Sequence, residues 1–273
     1  MITRQYHGED KPLKKVLPSL FSEISYSELC ATLRRKDVKI GGKRVADGSL
    51  VVREGEEITI YPKKKKQIVV VYEDDNILVV NKPKGIPSQG EVSFETSVKS
   101  ELGEELVLMH RLDTNTDGLL LFAKNSETER ELYAAMKSGS IAKGYRAEVY
   151  GHPRVYEDTV LRYYYKKSEA EKRAYISESE KAGYLPVELT FRVTAEKERT
   201  ALLYISLHKG KMHQIRAMLA YYGYFIVGDG KYGNDSINKE LGVKRHLLTA
   251  VELSFHLPKT SPLSYLNDIT ISL

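Results

Sequence analysis

The stretch "MHRLDTNTDGLLLFAKN", residues 109–125, places a polar loop between apolar segments and carries the acid Asp113 near its start. The apolar runs "LVLM" before the loop and "LLLFA" after it predict two buried strands. An acid in such a loop is either a turn former, a nucleophile or a general base. A loop tied to buried strands on both sides is held rigidly. A catalytic acid needs such rigidity, whereas an acid in a solvent-exposed turn does not.

Strand patterns dominate the chain around this loop. The run "IVVVYEDDNILVVNKP" predicts two strands joined by an acidic turn, and "YRAEVYG", "PVELTFRV" and "ALLYISLH" alternate as half-buried strands. A helix is predicted at "SETERELYAAMKSG", beginning with a capping box of Ser126 and Glu129, and a shorter helix at "HQIRAMLAYYG". The segment "YFIVGDGKYG" is predicted as a strand that runs into a glycine-rich loop. Together these patterns predict an α+β fold with a mixed, mostly antiparallel sheet.

The chain is predicted to contain two domains. Residues 1–62 contain a helix pattern, the hairpin signal "VKIGGKRV" and the alternating strand "EGEEITI", which predict a small α+β domain. Residues 63–69 begin with four consecutive lysines and predict a basic linker. Residues 70–273 hold the remaining strands and form the larger predicted domain.

Positive charge is concentrated in the first quarter of the chain. Residues 1–66 hold 15 Lys and Arg against 9 Asp and Glu, although the net charge of the whole chain is only +5. A basic cluster follows the predicted helix and consists of Arg34, Arg35 and Lys36. A concentrated cationic region favours a polyanionic partner, most simply nucleic acid; a solvated face beside a charged linker has the same composition.

Composition excludes several other classes of protein. The hydrophobic fraction of 41% is typical of a globular protein. No apolar run approaches the roughly 18–20 residues of a membrane span, and the first residues lack the apolar core of a secretory signal. Cys30 is the only cysteine, and His208 and His213 are spaced poorly for a metal pair on a helix. We expect a cytoplasmic protein without membrane association, metal or small-molecule cofactor.

The segment "HKGKMHQIRAML", residues 208–219, places four polar side chains where a helix begins. They are Lys211, His213, Gln214 and Arg216. Backbone donors at a helix N-terminus suit phosphate binding when cations lie beside them. Arg216 equally suits pairing with a buried carboxylate, and the structural alternative is an ordinary solvent-exposed first turn.

Four segments, in order within residues 70–260, resemble the RluA-type family of pseudouridine synthases. They are "HRLDTNTDGLLLFAKN", "KGYRAEVYG", "GKMHQIRAMLAYYGYFIVGDGKYG" and "RHLLTAVELSFHLP". The resemblance implies an isomerase that converts a uridine in RNA from an N-glycoside to a C-glycoside without a cofactor. Residues 1–62 resemble an S4 RNA-binding domain, in which Tyr26 stands where an arginine is usual.

The resemblance also implies roles for individual residues. Asp113 matches the essential aspartate, acting as a nucleophile at the ribose or as the base that removes a ribose proton. Arg216 would hold Asp113 ionised, Tyr145 would stack on the target base, and Leu248 would form an apolar floor. RNA contacts are expected from Arg111, His110, Lys211, His213 and Gln214, and in the first domain from Arg34, Arg35 and Lys36.

Two positions depart from the family pattern. Asp117 stands where serine or threonine is usual, and Thr249 stands where many members have histidine. Neither position carries the chemistry, so the departures concern local packing or the choice of substrate.

The predicted substrate is structured RNA, bound by a monomer. Large-subunit ribosomal RNA is favoured over transfer RNA because an S4-like domain often accompanies ribosomal targets in similar proteins. One alternative is a non-catalytic RNA-binding or ribosome-assembly protein, which would be signalled by loss of Asp113, Tyr145 or Arg216. Another is a glycoside or nucleoside hydrolase, which needs a second carboxylate; Asp117 is the candidate within the matching segments.

Overall fold

The computed structural model describes residues 1–24, 26–62, 68–155 and 157–273. Its contacts divide the chain into two compact units, Met1–Gln67 and Ile68–Leu273. Each unit has hydrophobic clusters of its own. The linker predicted at residues 63–69 lies mostly outside the described residues.

The first unit combines two helices with a small antiparallel sheet. Its elements are β1 (Ile2–Gln5), β2 (Lys11–Pro12), α1 (Leu13–Leu20), α2 (Tyr26–Arg34), β3 (Val38–Ile40), β4 (Lys43–Val45), β5 (Val51–Val52) and β6 (Glu57–Ile60). Four strands form a sheet in the order β1-β6-β3-β4. The hairpin between β3 and β4 is confirmed: Gly41 and Gly42 have φ of 51° and 80°, left-handed values that a two-residue loop requires.

The second unit is built around one large sheet. Its elements are β7 (Val69–Glu73), β8 (Ile77–Lys82), α3 (Phe94–Leu102), β9 (Val107–Leu108), β10 (Asp117–Ala123), α4 (Ser126–Ser138), β11 (Ile141–Tyr150), β12 (Thr159–Ser168), β13 (Arg173–Ser177), β14 (Leu185–Glu196), β15 (Thr200–Leu207), α5 (Gln214–Tyr222), α6 (Asp235–Glu240), β16 (Leu248–Phe255), a 3-10 helix (Ser264–Asp268) and β17 (Thr270–Ser272).

This sheet is mixed and mostly antiparallel, as predicted. Its 11 strands follow the order β13-β12-β14-β15-β11-β16-β10-β8-β7, with β9 beside β10 and β17 beside β16. The parallel contact joins β10 to β16, through Asp117 opposite Thr249 and Gly118 opposite Ala250. This contact brings two distant chain segments together at the start of β10.

The central strands are buried on both faces, which explains their nearly continuous apolar sequences. In β10, Leu119 and Leu121 pack in one cluster with Leu132 of α4. Leu120 and Phe122 pack in the opposite cluster, which includes residues of α5. The two helices therefore cover opposite faces of the sheet.

Two local predictions were wrong. Helix α4 is capped by Asn125, whose side chain accepts a hydrogen bond from the Thr128 amide, so Ser126 is the first helical residue. The strand predicted at "YFIVGDGKYG" is reduced to one isolated bridge at Ile226. The Asp229 carboxylate instead accepts the amides of Lys231 and Tyr232, and this turn chemistry outweighs the apolar run.

Candidate active site

The loop that carries Asp113 connects β9 to β10, and hydrogen bonds from a buried side chain and from its own backbone fix its position. The Ser88 hydroxyl donates to the Leu112 carbonyl oxygen at 2.8 Å and accepts the Leu112 amide at 3.0 Å. The Asp113 carbonyl oxygen accepts the Thr116 amide at 3.0 Å. Gly118 has φ of 114°, and a Cβ there would lie 2.0 Å from the Ala250 carbonyl oxygen. The loop is thus fixed at both ends.

Lys82 anchors a second segment against the same loop. Its side chain is fully buried, and its ammonium group donates to the carbonyl oxygens of Pro83, Ile86 and Thr114 at 3.1, 2.8 and 3.3 Å. Burial lowers the pKa of Lys82 to about 8, although the charges of Asp117 and Asp113 act in the opposite direction. The sequence alone did not mark this residue, which ends the apolar strand β8.

His246 ties the loop to the segment before β16. Its Nε2 is hydrogen-bonded to the Thr116 hydroxyl at 2.8 Å, and both side chains are buried. Burial lowers the pKa of His246 to about 4, and the positive charge of Arg216 acts in the same direction. The folded protein therefore keeps this imidazole neutral at neutral pH.

We expect stability to fall as the pH drops from about 6.5 toward 4, because the unfolded chain protonates His246 before the folded protein does. One such histidine contributes up to about 1.4 kcal/mol per pH unit in this window. Urea unfolding at pH 7.5, 5.5 and 4.5 measures the slope. His246→Gln should reduce it, while His256→Gln, at an exposed position, should not; equal slopes for all three proteins would contradict the prediction.

Asp113 and Arg216, predicted from sequence, form a direct ion pair. Arg216 Nη1 donates to Asp113 Oδ2 at 2.8 Å. The other edge of the guanidinium binds Asp229 through two hydrogen bonds of 2.7 and 2.8 Å, and Asp229 is fully buried. Burial opposes ionisation of Asp229, but Arg216 outweighs it and lowers the pKa of that carboxyl. Arg216 thus bridges the buried carboxylate of Asp229 and the partly exposed carboxylate of Asp113.

Asp229 was missed by the sequence analysis, which proposed a buried carboxylate partner for Arg216 without naming one. Its signal is the acid within "GDGKYG", between glycines that permit the tight turn. A hydrolase would need a second carboxylate beside Asp113. Asp229 does not serve as that carboxylate, because both of its oxygens accept hydrogen bonds from Arg216. Asp117, the earlier candidate, binds Thr249 instead.

Tyr232 connects the turn around Asp229 to the start of α5. Its hydroxyl accepts the Ala174 amide at 2.6 Å and lies 3.1 Å from His213 Nδ1. The guanidinium carbons of Arg173 and Arg216 lie 4.8 and 5.3 Å from its ring centroid. These contacts place the Tyr232 ring against the Arg216 guanidinium.

His213 is placed directly beside the ion pair. It precedes α5 in a left-handed conformation with φ of 56°, and its Nε2 lies 3.8 Å from Asp113 Oδ2. Burial lowers the pKa of His213, although the charge of Asp113 acts to raise it. A non-glycine residue in this conformation is strained, and such strain is often found at functional sites.

The remaining predicted residues fall into two groups. Gln214 and His110 bind backbone: Gln214 accepts the Lys211 amide and donates to the Glu188 carbonyl oxygen, and His110 Nε2 accepts the Leu121 amide. Tyr145 on β11 and Leu248 at the start of β16 are both buried and face the cleft. Burial and the charge of Asp113 raise the pKa of the Tyr145 hydroxyl.

These side chains line one cleft of about 830 Å³. All the sequence-predicted residues of the large unit border it: His110, Arg111, Asp113, Tyr145, Lys211, His213, Gln214, Arg216 and Leu248. Additional cations in the lining, which were not among the predicted site residues, are Lys137, Lys143, Lys167 and Lys209. Within the described residues, Asp113 is the only acid in the lining, so the cleft attracts a polyanion and offers it one carboxylate.

The predicted RNA contacts in the first unit differ from one another. Arg34 and Lys36 are exposed, and Lys36 has φ of 60°. Arg35 is bound by Glu28 at 2.7 Å and Asp37 at 3.1 Å, so its guanidinium has a structural role in this unit. RNA binding by this cluster stays a prediction.

The two departures from the family pattern contact each other. Thr249 Oγ1 donates to Asp117 Oδ1 at 2.8 Å across the parallel contact between β10 and β16. Lys84 Nζ lies 3.6 Å from the same Asp117 oxygen. The two departures therefore contact each other directly, close to the loop that carries Asp113.

We expect Asp117→Ala and Thr249→Val to be non-additive, because either change removes the same hydrogen bond. The coupling free energy should be about 1 kcal/mol, the usual value for a partly buried bond of this kind. Urea unfolding of the parent, both single variants and the double variant measures it. Additivity within about 0.3 kcal/mol would show that the two positions are independent.

No metal site or membrane helix was found within the described ranges. No group of three or more His, Cys, Asp or Glu side chains is arranged to hold a metal ion there. No helix in the same ranges is long and apolar enough to cross a bilayer.

Residues 76–221 match a family model described as RNA pseudouridylate synthase. A Rickettsia bellii protein named ribosomal large subunit pseudouridine synthase C is 30% identical over 253 residues, covering 82% of this chain and 83% of the relative. Its namesake from Salmonella typhimurium is 32% identical over 266 residues, covering 87% and 82%. The solved structure of human RNA pseudouridylate synthase domain containing 1 shares the fold, with a TM-score of 0.62 and 21% identity over 78% of this chain and 85% of that one.

Proposed function

The chain belongs to the RluA-type family of RNA pseudouridine synthases, isomerases that convert uridine to pseudouridine in RNA, and on this premise we propose that it acts on large-subunit ribosomal RNA through Asp113. The observation that carries the proposal is the ion pair of Asp113 with the buried Arg216 inside a cationic cleft. The pair presents an oriented carboxylate where a polyanionic substrate binds.

The reaction breaks the bond between ribose C1′ and uracil N1 and forms a bond from C1′ to uracil C5. Asp113 suits both routes to this exchange. It can attack the ribose as a nucleophile, or it can remove a ribose proton as a base. Both routes require the ionised carboxylate, and Arg216 Nη1 donates a hydrogen bond of 2.8 Å to its Oδ2.

The apolar side chains complete the proposed site. Tyr145 stacks on the target base and Leu248 forms the floor below it, since both are buried at the wall of the cleft. Arg111 is exposed at the rim, where it contacts a phosphate or takes the place of the extruded base. A base inside an RNA helix cannot reach Asp113, so the target nucleotide must leave its stack.

The choice of ribosomal RNA rests on two observations of different kinds. The relatives from Rickettsia bellii and Salmonella typhimurium carry names that specify the large ribosomal subunit. The first unit presents the exposed cations Arg34 and Lys36 and resembles an S4 domain in sequence. We propose that this unit adds a second RNA contact and that the protein acts in the cytoplasm. We also propose that it acts as a monomer, because residues of one chain line the cleft.

Release of tritium from RNA labelled at uridine C5 tests the proposed function. The new bond forms at C5, so its original hydrogen must pass to water. We expect release from large-subunit ribosomal RNA of cells that lack the gene, and little from their transfer RNA. Release from transfer RNA alone would replace the substrate, and binding without release from either pool would favour the RNA-binding alternative.

A further inference from the structure

Lys143 is a buried cation in the cleft whose ammonium group has no protein partner. It lies on β11, two residues before Tyr145, and only 7% of it is exposed. No hydrogen bond or ion pair joins its side chain to another residue in the described parts of the chain. Among the described residues, every side-chain nitrogen or oxygen that is sealed from solvent has a hydrogen-bond partner. Because Lys143 Nζ has no such partner, it is not sealed within the protein, and it borders the open cleft.

The other buried cations of the unit show what is missing. Lys82 is satisfied by three carbonyl oxygens, and Arg216 by the carboxylates of Asp113 and Asp229. A buried ammonium group without such partners is unfavourable, and burial lowers the pKa of Lys143 to about 8. A folded site that keeps such a group is best explained by a partner that arrives with the substrate.

We propose that Lys143 binds an anionic oxygen of the RNA substrate beside the target uridine. The proposal rests on the proposed function. Two sources supply this chemistry: a backbone phosphate next to the target nucleotide, and an oxygen of the detached uracil.

The second source follows from the electron count of the reaction. When the bond between C1′ and N1 breaks, its electron pair stays on the uracil and spreads to the oxygens O2 and O4. The base then turns, C5 bonds to C1′, the C5 proton passes to water, and N1 takes up a proton from water. A cation beside Tyr145 would stabilise the uracil anion between these steps.

The cleft surrounding Lys143 contains one negative charge. The charged and titratable side chains that line it beside Lys143 are His110, Arg111 and Asp113 from the loop that carries Asp113, Lys137 from α4, Tyr145 from β11, Lys167 from β12, Lys209, Lys211 and His213 from the turn before α5, and Arg216 from α5. Asp113 is already paired with Arg216. An anion of the substrate is therefore the natural counter-charge for Lys143.

Tritium release by Lys143→Met and Lys143→Arg tests the assignment, with Lys259→Met, an exposed position outside the cleft, as the matched control. The Met variant should lose at least about 10-fold in kcat/KM, and Arg should restore much of it. A lower kcat with unchanged KM assigns the uracil oxygen, and a higher KM with unchanged kcat assigns the phosphate. Thermal unfolding of the Met variant should be unchanged or shifted upward, since the lost charge is unpaired.

The pH profile separates a functional charge from a packing role. In the parent, kcat/KM should fall above about pH 8 as Lys143 loses its proton. Arginine keeps its charge, so this decline should be reduced in Lys143→Arg, and any decline left in that variant is assigned to Lys82, whose pKa is also about 8. A Met variant within threefold of the parent, or an unchanged decline in the Arg variant, would overturn the assignment alone. Absence of release by the parent from every RNA would overturn the proposed function instead.

Discussion

Asp113→Asn is expected to abolish tritium release while the protein remains folded and binds RNA. Asparagine has the same shape, and its oxygen can still accept the Arg216 Nη1 hydrogen bond that measures 2.8 Å in the parent. It carries no charge, so it is neither a nucleophile nor a base for the ribose. The loss should be on the order of 10³-fold or more, as for a group that makes or breaks bonds directly.

The control for this variant is Asp75→Asn, at an exposed acid in the turn between β7 and β8. It changes the net charge by the same amount and should keep the activity of the parent. RNA affinity of Asp113→Asn should be equal to or slightly above that of the parent, since a negative charge leaves a cationic cleft. Residual release above about a tenth of the parent rate would show that another group performs the chemistry.

Sequence analysis identified those residues of the candidate site that stand in a recognisable short segment. Asp113 lies between two apolar strands and Arg216 at the start of a helix, and both positions can be read from short segments. The confirmed fold class rests on the alternating strands that form the large sheet. Such patterns report which face of a strand is buried.

The missed residues are those whose role depends on contacts between distant segments. Lys82 binds the Thr114 carbonyl oxygen 32 residues away, and His246 binds Thr116 across 130 residues. In sequence, each is a polar residue beside an apolar run, and such residues are usually exposed. Asp117 and Thr249 were identified as departures, but their mutual contact depends on the parallel pairing of β10 with β16.

Helix capping and the turn at Asp229 illustrate a different limit. Asn125 and Ser126 are both good capping residues, and in the folded chain the Asn125 side chain accepts the Thr128 amide. In "YFIVGDGKYG" the apolar residues suggested a strand, but Gly228 turns the chain so that Asp229 faces Arg216. The conformation of this segment is therefore set by the pairing of Asp229 with Arg216 in the folded protein, and not by the local strand preference of its apolar residues.

Arg216→Met should lose both stability and activity, and its combination with Asp229→Asn should separate the two losses. The single change leaves the fully buried Asp229 carboxylate without its partner, which costs about 3–5 kcal/mol for a broken buried ion pair. It also leaves Asp113 without the cation that orients it.

In the double variant Arg216→Met with Asp229→Asn, no charge is left unpaired in the interior, so we expect the free energy of unfolding to recover to within about 1–2 kcal/mol of the parent. Activity should stay low, because Asp113 still lacks its cation. Urea unfolding and tritium release on the parent, both single variants and the double variant measure the two quantities. If activity returned together with stability, Arg216 would act only by compensating Asp229 in the core, and its contact of 2.8 Å with Asp113 would have no part in the reaction. Low activity in a stable double variant would instead tie the ion pair to the chemistry at the ribose.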